Sequence, residues 1–445
     1  MSMLTQIAES MQNVLVHDAE QLGRSTGFIQ RQRKLTGSLY AQTLVLGWWE
    51  KPDATLNELC QTAATLGLDI GVQSLDDRFG ETSSLFMRQV LESAVCEVIS
   101  ADPVSIPLLE RFAGVWLQDT STLSLPDSLR DLWPGCGGTR GKDCNAALKL
   151  QVRLDMLHGT LQGPLLQAGR EADRSSPLEQ EALPEGSLLL ADLGYFSLER
   201  LANLDQANVF WLTRVKSQCD LIDADGTQWD LADFLRAQSE MTLDVAILLG
   251  AGQRLPCRLL ALRVPKEVQQ ARRRKLREYA RKKGVTPTQK TLYLTGWTLL
   301  ATNGSQEQLS LQEALVLMRV RWQIELLFKL WKQHGHIDQS RSENPWRILT
   351  EVYAKLVAMV LQHWVLLTTC WMYPDRSLVR TAAMVRSLVT VLVVAFAVGT
   401  KRRLIEALQV MQTAMAKSAR ISKRRKQPSA FQLLLNPELA TYGSA

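Results

Sequence analysis

Two aspartates and a glutamate are the residues of this chain whose types and positions could do chemistry together. Asp119 and Asp192 each end a short apolar run, VWLQD and LLLAD, that reads as a strand. Acids at the carboxyl ends of neighbouring strands meet at one edge of a sheet. Together with a third carboxylate they would offer the hard oxygen ligands that Mg²⁺ prefers. The simpler alternative is that each acid caps a turn.

The third carboxylate is Glu325, on a helix predicted over residues 315–333, LVLMRVRWQIELLFKLWKQ. At about 100° per residue, one narrow face carries Arg321, Glu325 and Lys332. The opposite face is apolar and would pack into a core. The alternative is an exposed Arg321–Glu325 pair that stabilises the helix by only about 0.3–0.5 kcal/mol.

This helix resembles the signature of the insertion-sequence transposases called the IS-four family. That signature is a tyrosine, two residues, an arginine, three residues, a glutamate, six residues and a lysine. Arg321, Glu325 and Lys332 fit the spacing, whereas Met318 stands where the family has tyrosine. The flanking residues that also match the family wording are Arg319, Trp322, Ile324 and Phe328.

Four further blocks resemble the family in the right order. QDTSTLSLP resembles the block of the first catalytic aspartate and DLGYF that of the second. TGFIQRQRKL resembles the N-terminal segment, and TGWTLLATN the segment that closes an inserted strand region. The resemblance covers about residues 10–415, nearly the whole chain.

The resemblance implies an α+β multidomain fold with a ribonuclease H-like mixed-sheet core interrupted by a β-rich insertion. Asp119 and Asp192 are 73 residues apart and Asp192 and Glu325 are 133 apart, so the longer gap leaves room for the insertion. The expected units are a helical DNA-binding region at 1–105, the catalytic core at 106–216 with 306–350, the insertion at 217–305, and a helical region with a basic tail at 351–445 that would join two copies.

Local patterns give the same coarse organisation. KLQVRLDML alternates polar and apolar residues, as a half-buried strand does, and LLQAG is a candidate hairpin partner. Residues 55–79 contain a short helix, a glycine break and a second helix, which fits either a helix-turn-helix or a plain bundle. The apolar residues 382–398 are interpreted as one buried helix, and the polar tail as mobile.

Basic residues indicate where nucleic acid would bind. Residues 272–290 contain nine Lys or Arg against the single acid Glu278, and the whole chain has a net charge of +6. Such a run is either a solvated helix face or a phosphate-binding surface. The candidate DNA contacts are Arg214, Lys216, Arg272, Arg273, Arg274, Arg319, Arg321 and Lys332. The resemblance adds Trp297, which would stack on a flipped base, against the alternative of a core tryptophan.

The resemblance implies cut-and-paste transposition by a homodimer. The protein would pair terminal inverted repeats of double-stranded DNA, cut through hairpin ends and join the 3′ ends to target DNA. Asp119, Asp192 and Glu325 would hold two Mg²⁺ ions about 3.5–4 Å apart, with Mn²⁺ as a substitute. The alternatives are a nuclease that never joins ends, a decayed transposase acting as a DNA-binding regulator, and a helical scaffold.

Composition excludes several other classes. The seven cysteines are scattered without a Cys-x-x-Cys pair, which argues against a disulfide framework or zinc knuckle. His334 and His336 lack companion ligands and are interpreted as a helix end or a phosphate contact. The first residues do not resemble a signal peptide, and Arg386 interrupts the most apolar stretch, so we expect a cytoplasmic, nucleoid-associated protein without a membrane role.

Overall fold

The structure is a computed structural model that describes residues 2–31, 33–136, 146–371, 376–417, 420–421 and 428–439. Its first part is helical, as predicted. The helices are α1 Met3–Gln12, α2 Ala19–Ser25, α3 Gly37–Glu50, α4 Leu56–Thr65, α5 Val72–Asp76 and α6 Glu81–Cys96, with a π-helical stretch, Asn13–Asp18, between the first two. Nearly all of α3 is buried because it packs between its helical neighbours and a long helix from the C-terminal half.

The helix, break and helix predicted within residues 55–79 are confirmed. Thr55 and Glu58 form a capping box that begins α4. The chain then turns at Gly67, whose φ of +83° favours glycine, before α5 begins at Val72. The role of this pair of helices in binding DNA stays a prediction.

A mixed sheet forms the centre of the molecule. Its first strands are β1 Val115–Ser124, β2 Ala147–Asp155, β3 Leu161–Ala168, β4 Leu188–Ala191 and β5 Phe210–Arg214, with α7 Leu198–Gln206 between the last two. The β1, β4 and β5 strands are parallel, and β2 and β3 form the predicted antiparallel hairpin beside β1. The mixed sheet with flanking helices is therefore confirmed.

The segment 217–305 extends the same sheet. Its elements are β6 Asp220–Ile222, β7 Gln228–Asp230, α8 Leu231–Ala237, β8 Thr242–Leu249, β9 Leu255–Arg263, α9 Lys266–Lys283, α10 Gln289–Leu294 and β10 Trp297–Thr302. The sheet runs β3-β2-β1-β4-β5-β10-β9-β8-β6-β7, because β10 pairs antiparallel with both β5 and β9. The basic run lies mainly on α9.

The single helix predicted over residues 315–333 is wrong, because the structure has two: α11 Leu311–Val320 and α12 Trp322–Gln333. A capping box of Ser310 and Glu313 begins α11. The backbone tightens at Arg321, whose carbonyl accepts a bond from the Ile324 N–H, 3.2 Å away and only three residues on. The side chains of the predicted polar face still lie on one side, as described below.

The C-terminal part is helical. Its helices are α13 Pro345–Leu366, α14 Leu378–Ser387, α15 Val389–Val398, α16 Lys401–Lys417 and α17 Ala430–Leu435, with a π-helical stretch, Leu367–Trp371, after α13. The single buried helix predicted over 382–398 is wrong, because α14 and α15 bend by 45° around Leu388 and Val398 is 54% exposed. Among the described residues, Pro345–Trp371 is long and apolar enough to cross a membrane, but its most apolar window is entirely buried.

The predicted mobility of the tail is also wrong for its described end. Residues 428–439 include α17, which packs against α11 through the buried Leu433 and Leu434. A side-chain bond from Gln312 to the Pro437 carbonyl, 3.0 Å long, holds the chain after α17. Most of the basic stretch of the tail, 422–427, lies outside the described residues.

Candidate active site

The first acid, Asp119, lies within β1 and not at the end of the strand. The parallel pairing of β1 with β4 stops at Gln118 and Ala191, but its antiparallel pairing with β2 continues to Ser124. The prediction that Asp119 ends its strand is therefore wrong. Only the parallel ladder with β4 ends here, one residue before Asp119. The Thr120 N–H donates to Asp119 Oδ1 over 2.8 Å and fixes that carboxylate.

The second acid, Asp192, directly follows β4, as predicted. It precedes a short 3₁₀ turn, Leu193–Tyr195, in which the Tyr195 N–H donates to the Asp192 carbonyl over 3.0 Å. Because β1 and β4 are parallel neighbours, the two aspartates lie one residue beyond the same rung of the ladder. The Oδ1 atom of Asp192 is buried and has no hydrogen-bond partner.

The third acid, Glu325, lies in the first turn of α12, and Arg321 joins it to the aspartates. The Arg321 guanidinium lies 3.0 Å from Glu325 Oε1, 3.2 Å from Asp119 Oδ2 and 4.0 Å from Asp192 Oδ2. Its side chain is only 9% exposed, whereas that of Glu325 is 43% exposed. The structure thus brings the three predicted acids around one buried cation.

Burial controls the charge state of the innermost acid. Desolvation raises the pKa of Asp119, and the negative charges of Glu325 and Asp192 raise it further. The Thr120 N–H and the Arg321 guanidinium act in the opposite direction, but burial has the larger effect. The cluster therefore holds negative charge that one guanidinium does not fully balance.

The chemistry of this cluster suits a divalent cation. It supplies hard carboxylate oxygens, and the buried Asp192 Oδ1 is an acceptor without a donor. In the described parts of the chain, no three His, Cys, Asp or Glu side chains are already arranged around a common ion position. Arg321 lies among the acids instead, so an ion that bound all three carboxylates would take over its role as counter-charge.

Lys332 holds the far end of α12 against the same strand. Its Nζ donates to the Thr122 carbonyl of β1 over 2.8 Å, about two helical turns beyond Glu325. Arg321 and Lys332 therefore both contact β1, and Glu325 lies on the side of α12 that faces it. His334 follows as the C-terminal cap of α12, so its interpretation as a helix end is confirmed.

A cleft of about 1070 Å³ opens beside Glu325 and Arg321. Strands β5 and β10 form one side, α11 and α12 another, and residues 428–433 a third. The predicted DNA-binding residues that line it are Arg214, Arg272, Trp297, Arg319 and Arg321. Met318, in the place of the family tyrosine, also lines it and is 9% exposed.

Two arginines bring positive charge into this cleft. Arg214 is exposed at the end of β5, and Arg272 extends from α9 to bond the Trp297 carbonyl at 3.0 Å and Thr298 Oγ1 at 3.2 Å. Burial lowers the pKa of Arg272, and the positive charge of Arg214 lowers it further. This concentration of positive charge suits a phosphate backbone.

Several predicted DNA contacts are covered by other side chains, bonded to backbone carbonyls or placed outside the cleft. The Trp297 ring is 4% exposed and lies beneath the Arg263 guanidinium, 5.8 Å away. Arg273 donates to the Leu292 carbonyl of α10 over 3.2 Å, and Arg274 is exposed on α9. Lys216 donates to the Phe196 carbonyl over 3.0 Å and does not line the cleft.

Sequence patterns missed a buried polar layer on the other side of the sheet. The strand predicted for KLQVRLDML is confirmed as β2, but its predicted half-burial is wrong, because Gln151 is 0% exposed and Arg153 and Asp155 are 2% exposed. The segment around Pro177–Gln180 covers this face of β2, so its polar residues bond to one another and not to water. Arg153 and Arg200 both donate to Gln118 Oε1 at 2.9 Å, directly before Asp119.

Comparisons with known proteins identify the family. The family described as "Transposase DDE domain" matches residues 115–361, more than half of the chain. The chain is 28% identical over 368 residues to the transposase for insertion sequence element IS231F of Bacillus thuringiensis subsp. israelensis, covering 77% of this chain and 76% of that protein. It is 23% identical over 382 residues to the IS1151 transposase of Clostridium perfringens, covering 80% and 79%.

A third match covers a smaller part of each chain. The putative transposase InsL for insertion sequence element IS186A of Escherichia coli strain K12 is 28% identical over 201 residues, or 43% of this chain and 54% of that protein. The family match begins at the first residue of β1 and ends within α13, so it contains all three acids and the cleft strands. The chain therefore belongs to the DDE transposase family.

Proposed function

We propose that this chain is the transposase of a bacterial insertion sequence and uses Asp119, Asp192 and Glu325 to cut and join DNA. The observation that carries the proposal is the convergence of these acids, from two neighbouring parallel strands and α12, beside an arginine-lined cleft. The names of the relatives support the same activity. Its substrates are the inverted repeats at the ends of its own element and a target DNA.

We assign the ribonuclease H-like core to the half of the sheet that contains β1 to β5, together with α11 and α12. The segment 217–305 is the insertion, because it adds β6 to β10 to the same sheet between β5 and α11, and its last strand, β10, pairs directly with β5. The helices within 1–105 bind the DNA ends, and the helices within 351–445 join two copies in the paired complex. The protein acts on DNA in the bacterial cytoplasm, at the nucleoid.

Asp119, Asp192 and Glu325 would hold two Mg²⁺ ions, or Mn²⁺ in their place. Such ions activate the attacking oxygen and stabilise the leaving oxygen at a phosphodiester. Arg321, relieved of the acids, would bind a phosphate oxygen through its planar fork. Arg214 and Arg272 would hold the DNA strand along the cleft, and Arg319 and Lys332 would add point contacts near the cut.

Cut-and-paste chemistry through a hairpin also fits the cleft. A hairpin forces a sharp turn in one strand, and displacing one base relieves that turn. Trp297 lies at the cleft and could stack on such a base once the ring is uncovered, a contact worth about 1–3 kcal/mol. This assignment requires a movement at Arg263, whose guanidinium now covers the ring.

The test is cleavage and joining of a DNA duplex that carries the inverted repeats flanking this reading frame, in Mg²⁺ and in Mn²⁺. We expect cutting at the repeat tip by the wild-type chain and its loss in Asp119→Asn, Asp192→Asn and Glu325→Gln, with end binding retained. Glu307→Gln, at an exposed loop residue outside the cleft, is the matched control and should cut normally.

Each other outcome has a defined meaning. Cleavage without joining to an added plasmid would identify a nuclease and overturn the transposase proposal. Binding without cleavage in either metal would identify a decayed copy that acts as a DNA-binding regulator. Wild-type cleavage by any of the three acid variants would overturn the site.

A further inference from the structure

The buried hydroxyl of Tyr195 lies behind the two aspartates, on the opposite face of the sheet. Tyr195 is 2% exposed and ends the 3₁₀ turn that follows Asp192. Its hydroxyl donates to Gln151 Oε1 of β2 over 2.8 Å and also contacts the Thr120 hydroxyl of β1. The Thr120 hydroxyl is itself 2.9 Å from Gln151 Oε1, so the three side chains form a closed triangle.

This triangle lies just beyond the point where the backbone ladder between β1 and β4 ends. The parallel ladder between β1 and β4 ends at Gln118 and Ala191, one residue before each aspartate. Backbone pairing between the two strands therefore does not extend to the acids. The Tyr195 and Thr120 hydroxyls supply the next link between the two segments, just beyond Asp192 and Asp119.

Thr120 connects this link directly to the first carboxylate. Its N–H holds Asp119 Oδ1 over 2.8 Å, while its side chain, on the other face of the strand, meets Tyr195. Any movement of Tyr195 that shifts Thr120 will therefore also move the donor that fixes Asp119. Burial raises the pKa of Tyr195, so the phenol keeps its proton and remains a donor.

Neighbouring groups hold the turn from two other directions. The Arg200 guanidinium lies 5.4 Å from the centre of the Tyr195 ring, and its Nη1 donates to the Tyr195 carbonyl over 3.4 Å. On the other side, a Cβ added at Gly194 would lie 3.0 Å from Asp173 Oδ2, and Lys149 holds that carboxylate group at 2.8 Å. Because these contacts confine the turn, the contacts of the Tyr195 hydroxyl can determine the position of Asp192.

We propose that Tyr195 is a positioning residue that sets the separation of Asp119 and Asp192 through Thr120 and thereby determines how tightly the pair binds a divalent cation. The inference rests on the proposed function, since it gives these acids a metal. Outer groups that orient metal ligands commonly change affinity by about 10–100-fold when they are removed. Tyr195 touches neither the metal nor the DNA in this role.

The experiment measures Mn²⁺ binding to the full chain without DNA, from the electron paramagnetic resonance signal of free Mn²⁺. We expect Tyr195→Phe to raise the dissociation constant about 10-fold. The matched control is Tyr353→Phe, which also removes a buried phenol hydroxyl, 3.1 Å from Trp133 Nε1 and outside the polar layer. Thermal unfolding of both variants will show whether any loss of affinity merely follows a loss of stability.

Variants of the partner separate positioning from a general packing effect. Thr120→Val removes the hydroxyl at nearly constant shape and should weaken Mn²⁺ binding, whereas Thr120→Ser should restore it. The double variant Tyr195→Phe/Thr120→Val should bind no more weakly than either single variant, because both remove the same link. In end cleavage, excess Mn²⁺ should restore the rate of Tyr195→Phe but not that of Asp192→Asn.

Two results would overturn the inference while leaving the proposed function intact. One is equal Mn²⁺ affinity in Tyr195→Phe and Tyr353→Phe, and the other is full additivity in the double variant. If the wild-type chain binds no Mn²⁺ that Asp192→Asn abolishes, both the proposed function and the inference fail.

Discussion

At the scale of single residues, the site is a set of acids organised by an internal cation. Arg321 lies within 4.0 Å of all three carboxylates and is nearly excluded from water. Three acids against one guanidinium leave unbalanced negative charge, and the Asp192 Oδ1 atom has no donor. The Arg321 guanidinium holds these like charges together in the metal-free protein. Removing it should therefore make the three acids bind another cation more strongly.

The first prediction concerns Arg321→Gln. We expect tighter Mn²⁺ binding than wild type in the absence of DNA, by several-fold, because the ion no longer competes with the guanidinium. Titration calorimetry measures this affinity, with Arg214→Gln as a control in the same cleft that touches none of the acids. Unchanged or weaker binding by Arg321→Gln would show that the arginine organises the acids without competing for them.

The second prediction follows from the raised pKa of Asp119. Between its unfolded and its higher folded pKa, the folded protein binds more protons than the unfolded chain, so stability falls as pH rises through that window. Asp119→Asn should therefore raise the melting temperature at neutral pH, and the gain should shrink on acidification below the folded pKa.

Asp223→Asn provides a control of opposite sign for this measurement. The bond from Trp229 Nε1 lowers the pKa of Asp223, so its charge is favoured in the folded state. Its removal should lower the melting temperature at neutral pH. A fall in melting temperature with Asp119→Asn would mean that its bond to Arg321 outweighs its burial.

At the scale of elements, sequence patterns predicted most strands and helices but not which other parts of the chain bury each of them. The hairpin of β2 and β3 follows from alternation and glycines, yet the burial of Gln151 and Arg153 depends on a distant segment, Pro177–Gln180, that no local pattern reveals. The turn at Arg321 that separates α11 from α12 likewise leaves the apolar periodicity unbroken, so no local pattern reveals it. The acids could be found because the strand run and the signature spacing are local, whereas the Tyr195 triangle joins two strands and the 3₁₀ turn after a third.

The third prediction separates two kinds of arginine on α9. Arg272 and Arg273 bond neighbouring backbone carbonyls, whereas Arg274 and Arg277 are exposed. Arg274→Gln/Arg277→Gln should weaken DNA binding without changing the melting temperature. The slope of log affinity against log salt should fall by up to about 2 in magnitude, since each phosphate contact contributes about 0.9.

A matched pair of exposed arginines on another helix controls for net charge. Arg402→Gln/Arg403→Gln removes the same charge from α16, where both arginines bond Glu406. Fluorescence anisotropy across a salt series compares the two variants. Equal slopes would mean that α9 is a solvated face and does not bind phosphate.

At the scale of the whole molecule, one continuous core joins parts of the chain that are far apart in sequence. The largest buried cluster includes the N-terminal helices, the inner face of β1 and β2, α13, and the C-terminal helices down to Leu434. Helix α17 packs against α11, and residues 428–433 form part of the cleft beside Glu325. The site therefore depends on contacts among the N-terminal, central and C-terminal parts of the described chain.

The fourth prediction tests the packing of α17 with two adjacent leucines. Leu434 is 3% exposed and Leu435 is 50% exposed, so Leu434→Ala removes more packing than Leu435→Ala does. Leu→Ala changes in cores cost about 2–5 kcal/mol, which is enough to release a short terminal helix. We expect faster amide hydrogen exchange in α11 for Leu434→Ala alone; equal exchange in the two variants would show that α17 does not protect that helix.

The pairing of β5 with β10 has a consequence for how such a protein changes over evolutionary time. The half of the sheet that contains the aspartates meets the half beside the basic helix through three residue pairs, Arg214 with Leu300, Thr213 with Ala301, and Leu212 with Thr302. Because so few backbone pairs join the two halves, the second half can diverge in length and sequence while the reacting half keeps its geometry, provided that side chains packed across the boundary, such as Trp211 and Ala301, stay complementary. Related insertion sequences could thus acquire different DNA preferences through changes in the half of the sheet beside the basic helix. The same boundary is where segments would be exchanged between relatives by protein engineering.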